Sequence, residues 1–178
     1  KRLLDIVVSV IVIIVTSPIM LIIAIVIKAY DRGPVFFKQK RCTLDGKVFE
    51  IHKFRSMIVD AEKEGISVPA SEKDPRITPI GNIIRATRLD ELPQIFDILS
   101  GNMSLVGPRP SLPKEVEEFE GWMHKRHEVK PGLTCYWQVS RRNNIDFEDW
   151  MKLDVKYVNE RNFWLDIKLI IKINQNKL

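Results

Sequence analysis

Residues Ile6 to Ile27 read IVVSVIVIIVTSPIMLIIAIVI, 22 consecutive positions without a charge, bounded by Asp5 and Lys28. At about 1.5 Å of rise per helical residue, such a run covers the ~30 Å hydrocarbon thickness of a bilayer. The core strand or helix of a small soluble domain is neither so long nor so uniformly apolar. A cleaved signal peptide is the main alternative, but its apolar region usually has about 7–15 residues and ends in a small-residue cleavage site. Here the run is longer and leads into Lys28-Ala29-Tyr30-Asp31-Arg32. The stretch predicts a membrane-inserted helix over residues 1–30, followed by a polar domain over residues 31–178.

Two features complicate a simple span. Ser17-Pro18 sits mid-run, where proline removes a helical hydrogen bond and clashes with the preceding turn. A kink follows, and the Thr16 and Ser17 hydroxyls can satisfy the freed carbonyls. Both flanks are also cationic: Lys1 and Arg2 before the run, then Lys28, Arg32, Lys38, Lys40 and Arg41 after it. The cation-rich flank prefers the cytoplasm. A helix bent at Ser17-Pro18, entering and leaving on one face, satisfies both flanks; a kinked helix that crosses is left equally open.

Further out, 178 residues suit one domain with an appendage. Mean hydropathy is near zero, which hides how unequal the first segment is. The net charge of +5 favours an anionic partner without naming it. Two cysteines, Cys42 and Cys135, exclude a disulfide-rich scaffold and a four-thiolate zinc site. The start at Lys1 rather than Met leaves a longer protein open.

The polar part reads as α/β. VFFKQKR and KVFEIHKF, joined by Thr43-Leu44-Asp45-Gly46, predict a hairpin. Asp60 to Pro79 reads as a long loop. Helical period resumes over Ile80–Arg85, and a further helix is expected from near Asp90, with Pro93 in its first turn and its end at Gly101. SLVGPRP reads as extended or looped. Pro113 to Arg126 predicts a helix running from acidic to basic, as the helix dipole prefers. Asp146 is a candidate N-cap for FEDWMKLDVKYVNE. The last helix, FWLDIKLIIKI, is too short to span; it lies at the membrane interface or packs into the core, and both readings stay open.

The densest signal for chemistry is Arg85-Ala86-Thr87-Arg88-Leu89-Asp90-Glu91-Leu92-Pro93. Adjacent carboxylates are ordinarily a solvated helix start. The sharper reading keeps Asp90 ionised at a helix N-terminus and lets Glu91 beside it hold Mg²⁺, which takes few carboxylates and shares phosphate oxygens. Arg85 and Arg88, three apart on one helical face, could grip a diphosphate through their guanidinium forks. Together these describe phosphoryl-transfer machinery. Arg109 stands between two prolines in Val106-Gly107-Pro108-Arg109-Pro110, so it is presented with little entropy left to lose. Lys53 and Arg55 alternate along one strand face. Lys130-Pro131-Gly132-Leu133-Thr134 and Gln138-Val139-Ser140-Arg141-Arg142-Asn143 suit phosphate and uridine or sugar contacts, although such composition is common in loops. His124 and His127 lack a third metal ligand. There is no phosphate-loop, dinucleotide or nucleophile-elbow motif. No nucleic-acid module accompanies the basic charge, which suits an anionic lipid surface better.

The hydrophobic segment with central Ser-Pro, then KFRSM, RLDELPQIFDILSGNMSLVGPRP, KPGLT and LDVKYV, resembles the bacterial sugar transferases, monotopic phosphoglycosyl transferases that initiate surface-polysaccharide or glycoconjugate assembly. The resemblance covers nearly the whole chain. It implies a re-entrant membrane helix bent at Ser17-Pro18, a small α/β domain on the cytoplasmic face of the bacterial inner membrane, and amphipathic interface helices. It implies transfer of a sugar-1-phosphate from a UDP-sugar to polyprenyl (undecaprenyl) phosphate with release of UMP. Asp90 matches the nucleophile that forms a covalent phosphosugar intermediate, and Glu91 its partner near Mg²⁺, with Asp90 also within reach of the ion. Arg85 and Arg109 match phosphate-binding positions, Arg88 joins them as a phosphate candidate, and Lys53 matches an active-site lysine. One departure is Cys135, which stands where relatives often carry glycine. The expected partners are the UDP-sugar, the polyprenyl phosphate, membrane lipids and a second copy of the chain, without nucleic acid. The competing readings are a membrane-tethered scaffold whose acidic pair is only a cap, and a glycosyltransferase that would release UDP.

Overall fold

The computed structural model describes residues 1–61, 74–139 and 146–175. The chain is α/β, built around a long apolar helix, α1 (Arg2–Asp31). An antiparallel hairpin follows, β1 (Phe36–Cys42) and β2 (Val48–Phe54), in the register Phe36↔Phe54 to Cys42↔Val48. Asp45 and Gly46 turn it with φ of 58° and 71°, a left-handed pair that suits Asp and Gly. Then come α2 (Pro79–Ala86), α3 (Gln94–Ser100), β3 (Ser104–Val106), α4 (Pro113–Glu117), β4 (Gly132–Thr134), α5 (Phe147–Glu160) and α6 (Phe163–Gln175).

Helical hydrogen bonding continues through Ser17-Pro18, so the expected bend is not a break in the helix. The reason is local. Pro18 offers no N–H to the Ile14 carbonyl, and Ser17 Oγ donates to that oxygen at 3.1 Å. Thr16 Oγ1 likewise donates to Val12 O at 2.7 Å.

Both ends of α1 are tied to the polar part. At the start, Lys1 Nζ bonds Val106 O, Tyr157 Oη and Asp166 Oδ2 at 2.9, 2.9 and 2.6 Å. Asp5 accepts from Ser104 Oγ and Leu105 N at 3.0 and 3.1 Å. At the far end the Arg55 guanidinium is paired with Asp31, and Ile23 and Ile27 pack with Phe54 and Ile84. Arg55 therefore fastens the helix to the hairpin.

The main core gathers Phe49 and Ile51 of β2, Ile95 and Ile98 of α3, Leu105 and Val106 of β3, Tyr157 of α5 and Leu169 of α6. The α3 helix ends at Gly101, as expected, with φ of 89°. Asp146 caps α5 by accepting from Asp149 N at 2.7 Å. The expected helix over Pro113–Arg126 is shorter: α4 stops at Glu117, and Gly121–Glu128 forms a 3₁₀ segment. Gly121, which costs about 1 kcal/mol inside a helix, stands at the interruption, and buried Phe119 between the two segments packs with Met123 and Met151. On α6, Leu169 is buried while Phe163, Trp164 and Ile171 are exposed, so one face packs and another stays bare. Most of the expected long loop, with Pro69 among its residues, lies outside the described residues.

Candidate active site

The site depends on a backbone crossing that period-two patterning does not signal. The three-residue strands β3 and β4 pair in parallel, Ser104 with Gly132 and Val106 with Thr134. Just past β3, a Cβ on Gly107 would lie 2.4 Å from Lys130 O, and one on Gly132 would lie 2.0 Å from Gly107 N. Only glycines allow this approach. Gly107 N then donates to Thr134 O at 3.0 Å, and Gly132 N to Pro108 O at 2.8 Å. The crossing sends Pro108-Arg109-Pro110 to one rim of a cleft and Trp137-Gln138 to the adjoining wall.

That cleft has a volume of about 670 Å³, within the usual range for small-molecule sites. Lys53 of β2, Arg85 of α2, then Arg88, Asp90, Glu91 and Arg109 all line it. The six side chains singled out from sequence therefore share one cavity. Another wall is Pro34, Phe36 and Phe37, the segment that follows α1 directly.

Asp90 and Glu91 lie in a single 3₁₀ turn, Leu89–Glu91, ahead of α3 rather than within it. Asp90 is thus not the carboxylate of a helix N-terminus, and it is not held ionised by that position. Burial pushes its carboxyl above the usual range; Lys53 pulls it down, and Glu91 pushes it up further. Glu91 is also pushed up by burial, but Lys53 outweighs this through its charge and a direct bond, with help from Arg109 and Arg88. Lys53 Nζ lies 2.9 Å from Glu91 Oε1.

Arg88 does not continue the α2 face shared with Arg85. The helix ends at Ala86, and Arg88 adopts φ 57°, ψ 18° in the link to the 3₁₀ turn. A left-handed arginine costs about 1–2 kcal/mol, and such strain concentrates at functional sites. Arg85 Nη1 reaches Ser56 Oγ at 3.4 Å. The Arg109 guanidinium stands 5.9 Å from the Trp137 ring.

Among the described residues no group of three or more His, Cys, Asp or Glu side chains converges. The neighbouring carboxylates of Asp90 and Glu91 do fit Mg²⁺, which takes one or two carboxylates and completes its shell from water and phosphate. Trp137 and Arg41, which also line the cleft, were not among the sequence candidates. Trp137 stands next to Gln138, already singled out, so the extended Trp-Gln pair was the available signal. Arg55 faces the cleft too, but its guanidinium is committed to Asp31. Ser140-Arg141-Arg142-Asn143 lies outside the described residues.

The family model for bacterial sugar transferases matches residues 1–177. A galactosyl transferase, CpsE, of Streptococcus agalactiae is 47% identical over 152 residues, covering 79% of this chain and 34% of that protein. The UDP-glucose:undecaprenyl-phosphate glucose-1-phosphate transferase of Escherichia coli is 40% identical over 179 residues, covering 96% of this chain and 38% of that protein. The sugar transferase EpsL of Bacillus subtilis, itself uncharacterized, is 40% identical over 170 residues, covering 96% and 83%. The chain thus spans between a third and two-fifths of the first two relatives.

Proposed function

Because the chain belongs to the bacterial sugar transferase family, we propose that it transfers a sugar-1-phosphate from a UDP-sugar to polyprenyl phosphate and releases UMP. The observation that carries this reading is the single cleft that brings a half-buried carboxylate, Asp90, against Glu91, Lys53 and three arginines. Asp90 attacks the β-phosphorus of the donor, the bond between that phosphorus and the bridging oxygen breaks, and UMP leaves with the oxygen. The lipid phosphate then attacks the same phosphorus and frees Asp90, giving the polyprenyl diphosphate sugar. A carboxylate is a weak nucleophile, so the arginines must neutralise the diphosphate as charge moves to the leaving group. Lys53 keeps Glu91 ionised, and Glu91 with Asp90 would hold Mg²⁺, which supplies further neutralisation of phosphate charge when bound.

A lipid acceptor accounts for the placement. Leu3, Ile14, Val15, Leu21, Ile22 and Ile25 of α1 are all more than half exposed, a bare apolar face of the kind that marks membrane contact. Both ends of α1 hold one body, which supports a re-entrant helix, and the cationic flanks on either side suit the cytoplasmic face. Exposed Phe163 and Trp164 suit α6 to the membrane interface. The cleft wall Pro34–Phe37 leaves α1 at that same surface.

The test is nucleotide release from UDP-glucose, UDP-galactose and UDP-N-acetylgalactosamine with Mg²⁺ and undecaprenyl phosphate. UMP from one of these supports the proposal and names the donor. UDP would move the protein to glycosyl transfer, and silence with all three donors would favour a tethered scaffold.

A further inference from the structure

Behind the cleft lies a charged pair that the proposed reaction does not touch. Arg126 and Asp154 have side-chain exposures of 1% and 0%, and Arg126 Nη2 lies 2.7 Å from Asp154 Oδ2. Arg126 donates from Nη1 to Ser111 Oγ and from Nη2 to the carbonyl of Arg109. Its guanidinium also stands 5.5 Å from the Phe119 ring and 5.6 Å from the Trp150 ring. Trp150 meets Trp137 edge-on at 6.0 Å, and Trp137 carries the Arg109 guanidinium. Arg109 is therefore gripped twice by one cluster. Its backbone is held by Arg126 directly, and its side chain through Trp150 and Trp137.

Burying two charges is costly unless geometry repays it, and such pairs often add little stability over an apolar replacement. This pair has a different use available. A buried arginine that holds a backbone carbonyl fixes where the loop stands, and Asp154 compensates its charge. We infer that Arg126 and Asp154 are positioning residues for Arg109, setting how tightly the cleft grips the diphosphate of its donor. The inference rests on the reading of the cleft as a nucleotide-diphosphate site. A guanidinium must sit within a few tenths of an ångström of its productive position for paired bonds to a phosphate to form, so loss of the backing cluster should act through Arg109.

The test is calorimetric binding of UDP to the full chain in detergent with MgCl₂. Arg109→Ala should weaken UDP by about 10- to 100-fold, the worth of charge-assisted hydrogen bonds. Asp154→Asn should weaken it by about tenfold. The double variant should bind no more than about twofold worse than Arg109→Ala alone, because Asp154 then has nothing left to position. With Arg85→Ala, Asp154→Asn should instead multiply. Losses that multiply with Arg109→Ala, or that merge equally with Arg85→Ala, would overturn the positioning role and leave the cleft reading intact. No UDP binding by the unaltered protein would overturn the cleft reading, and this inference with it. If Asp154→Asn does not fold, Trp150→Leu severs the aromatic link without stranding a charge and should give the same pattern.

Discussion

Asp90 and Glu91 are neighbours whose carboxyls are pushed in opposite directions, because only Glu91 carries the Lys53 ammonium directly. That leaves Asp90 as the proposed nucleophile. Asp90→Asn should abolish turnover while the protein stays folded, since the side chain makes no ion pair among the described residues; activity with an intact circular dichroism spectrum is the check. Arg88 tests strain against function. Arg88→Gly removes the left-handed penalty and should leave stability unchanged or raise it by about 1 kcal/mol in thermal unfolding, while activity falls at least tenfold. His127 gives a pH prediction. Burial, and then the Arg126 and His124 charges, lower it from 6.5 to about 4. The unfolded ring protonates first as pH falls, so this contribution is full above pH ~6.5 and is lost on the way to ~4. Between pH 7 and 5 the wild type should lose about 2 kcal/mol more stability than His127→Gln, measured by denaturant unfolding at each pH.

At the scale of elements, the hairpin, α2, the end of α3 at Gly101 and the cap of α5 at Asp146 were readable, because each depends on local period and turn chemistry. The parallel pair β3 and β4 was not, since three-residue strands flanked by Gly and Pro are too short to carry an alternation. The proline of α1 behaves as its neighbours imply. Ser17 and Thr16 supply hydrogen bonds where Pro18 takes one away, and the helix persists. The proposed re-entrant topology of α1 rests on its two anchored ends. Cysteines placed at Leu3 and Tyr30, exposed positions near either end, should both react with an impermeant maleimide from one membrane side. Labelling from opposite sides would show a crossing helix.

Across the whole molecule, the six candidate site residues come from β2, α2, the turn before α3 and the loop after β3, and the fold brings them into one cleft. Their convergence was legible through the motifs. The support behind them was not: Arg126, Trp137, Trp150 and Asp154 are spread over 29 positions, and no spacing rule links a buried arginine to the loop it holds. The same fold leaves the cleft beside the exit of α1, where, on the proposed reading, a lipid phosphate and a soluble nucleotide sugar would both reach one carboxylate. The central claim is that Asp90 carries the phosphosugar between them. Intact-mass spectrometry of the protein incubated with Mg²⁺ and its UDP-sugar donor, without lipid acceptor, tests it most directly. The account predicts an adduct of one sugar phosphate that maps to the Asp90 peptide, disappears on adding undecaprenyl phosphate and is absent from Asp90→Asn. An unmodified protein that nevertheless releases UMP once the acceptor is present would contradict it and point to direct displacement by the lipid phosphate.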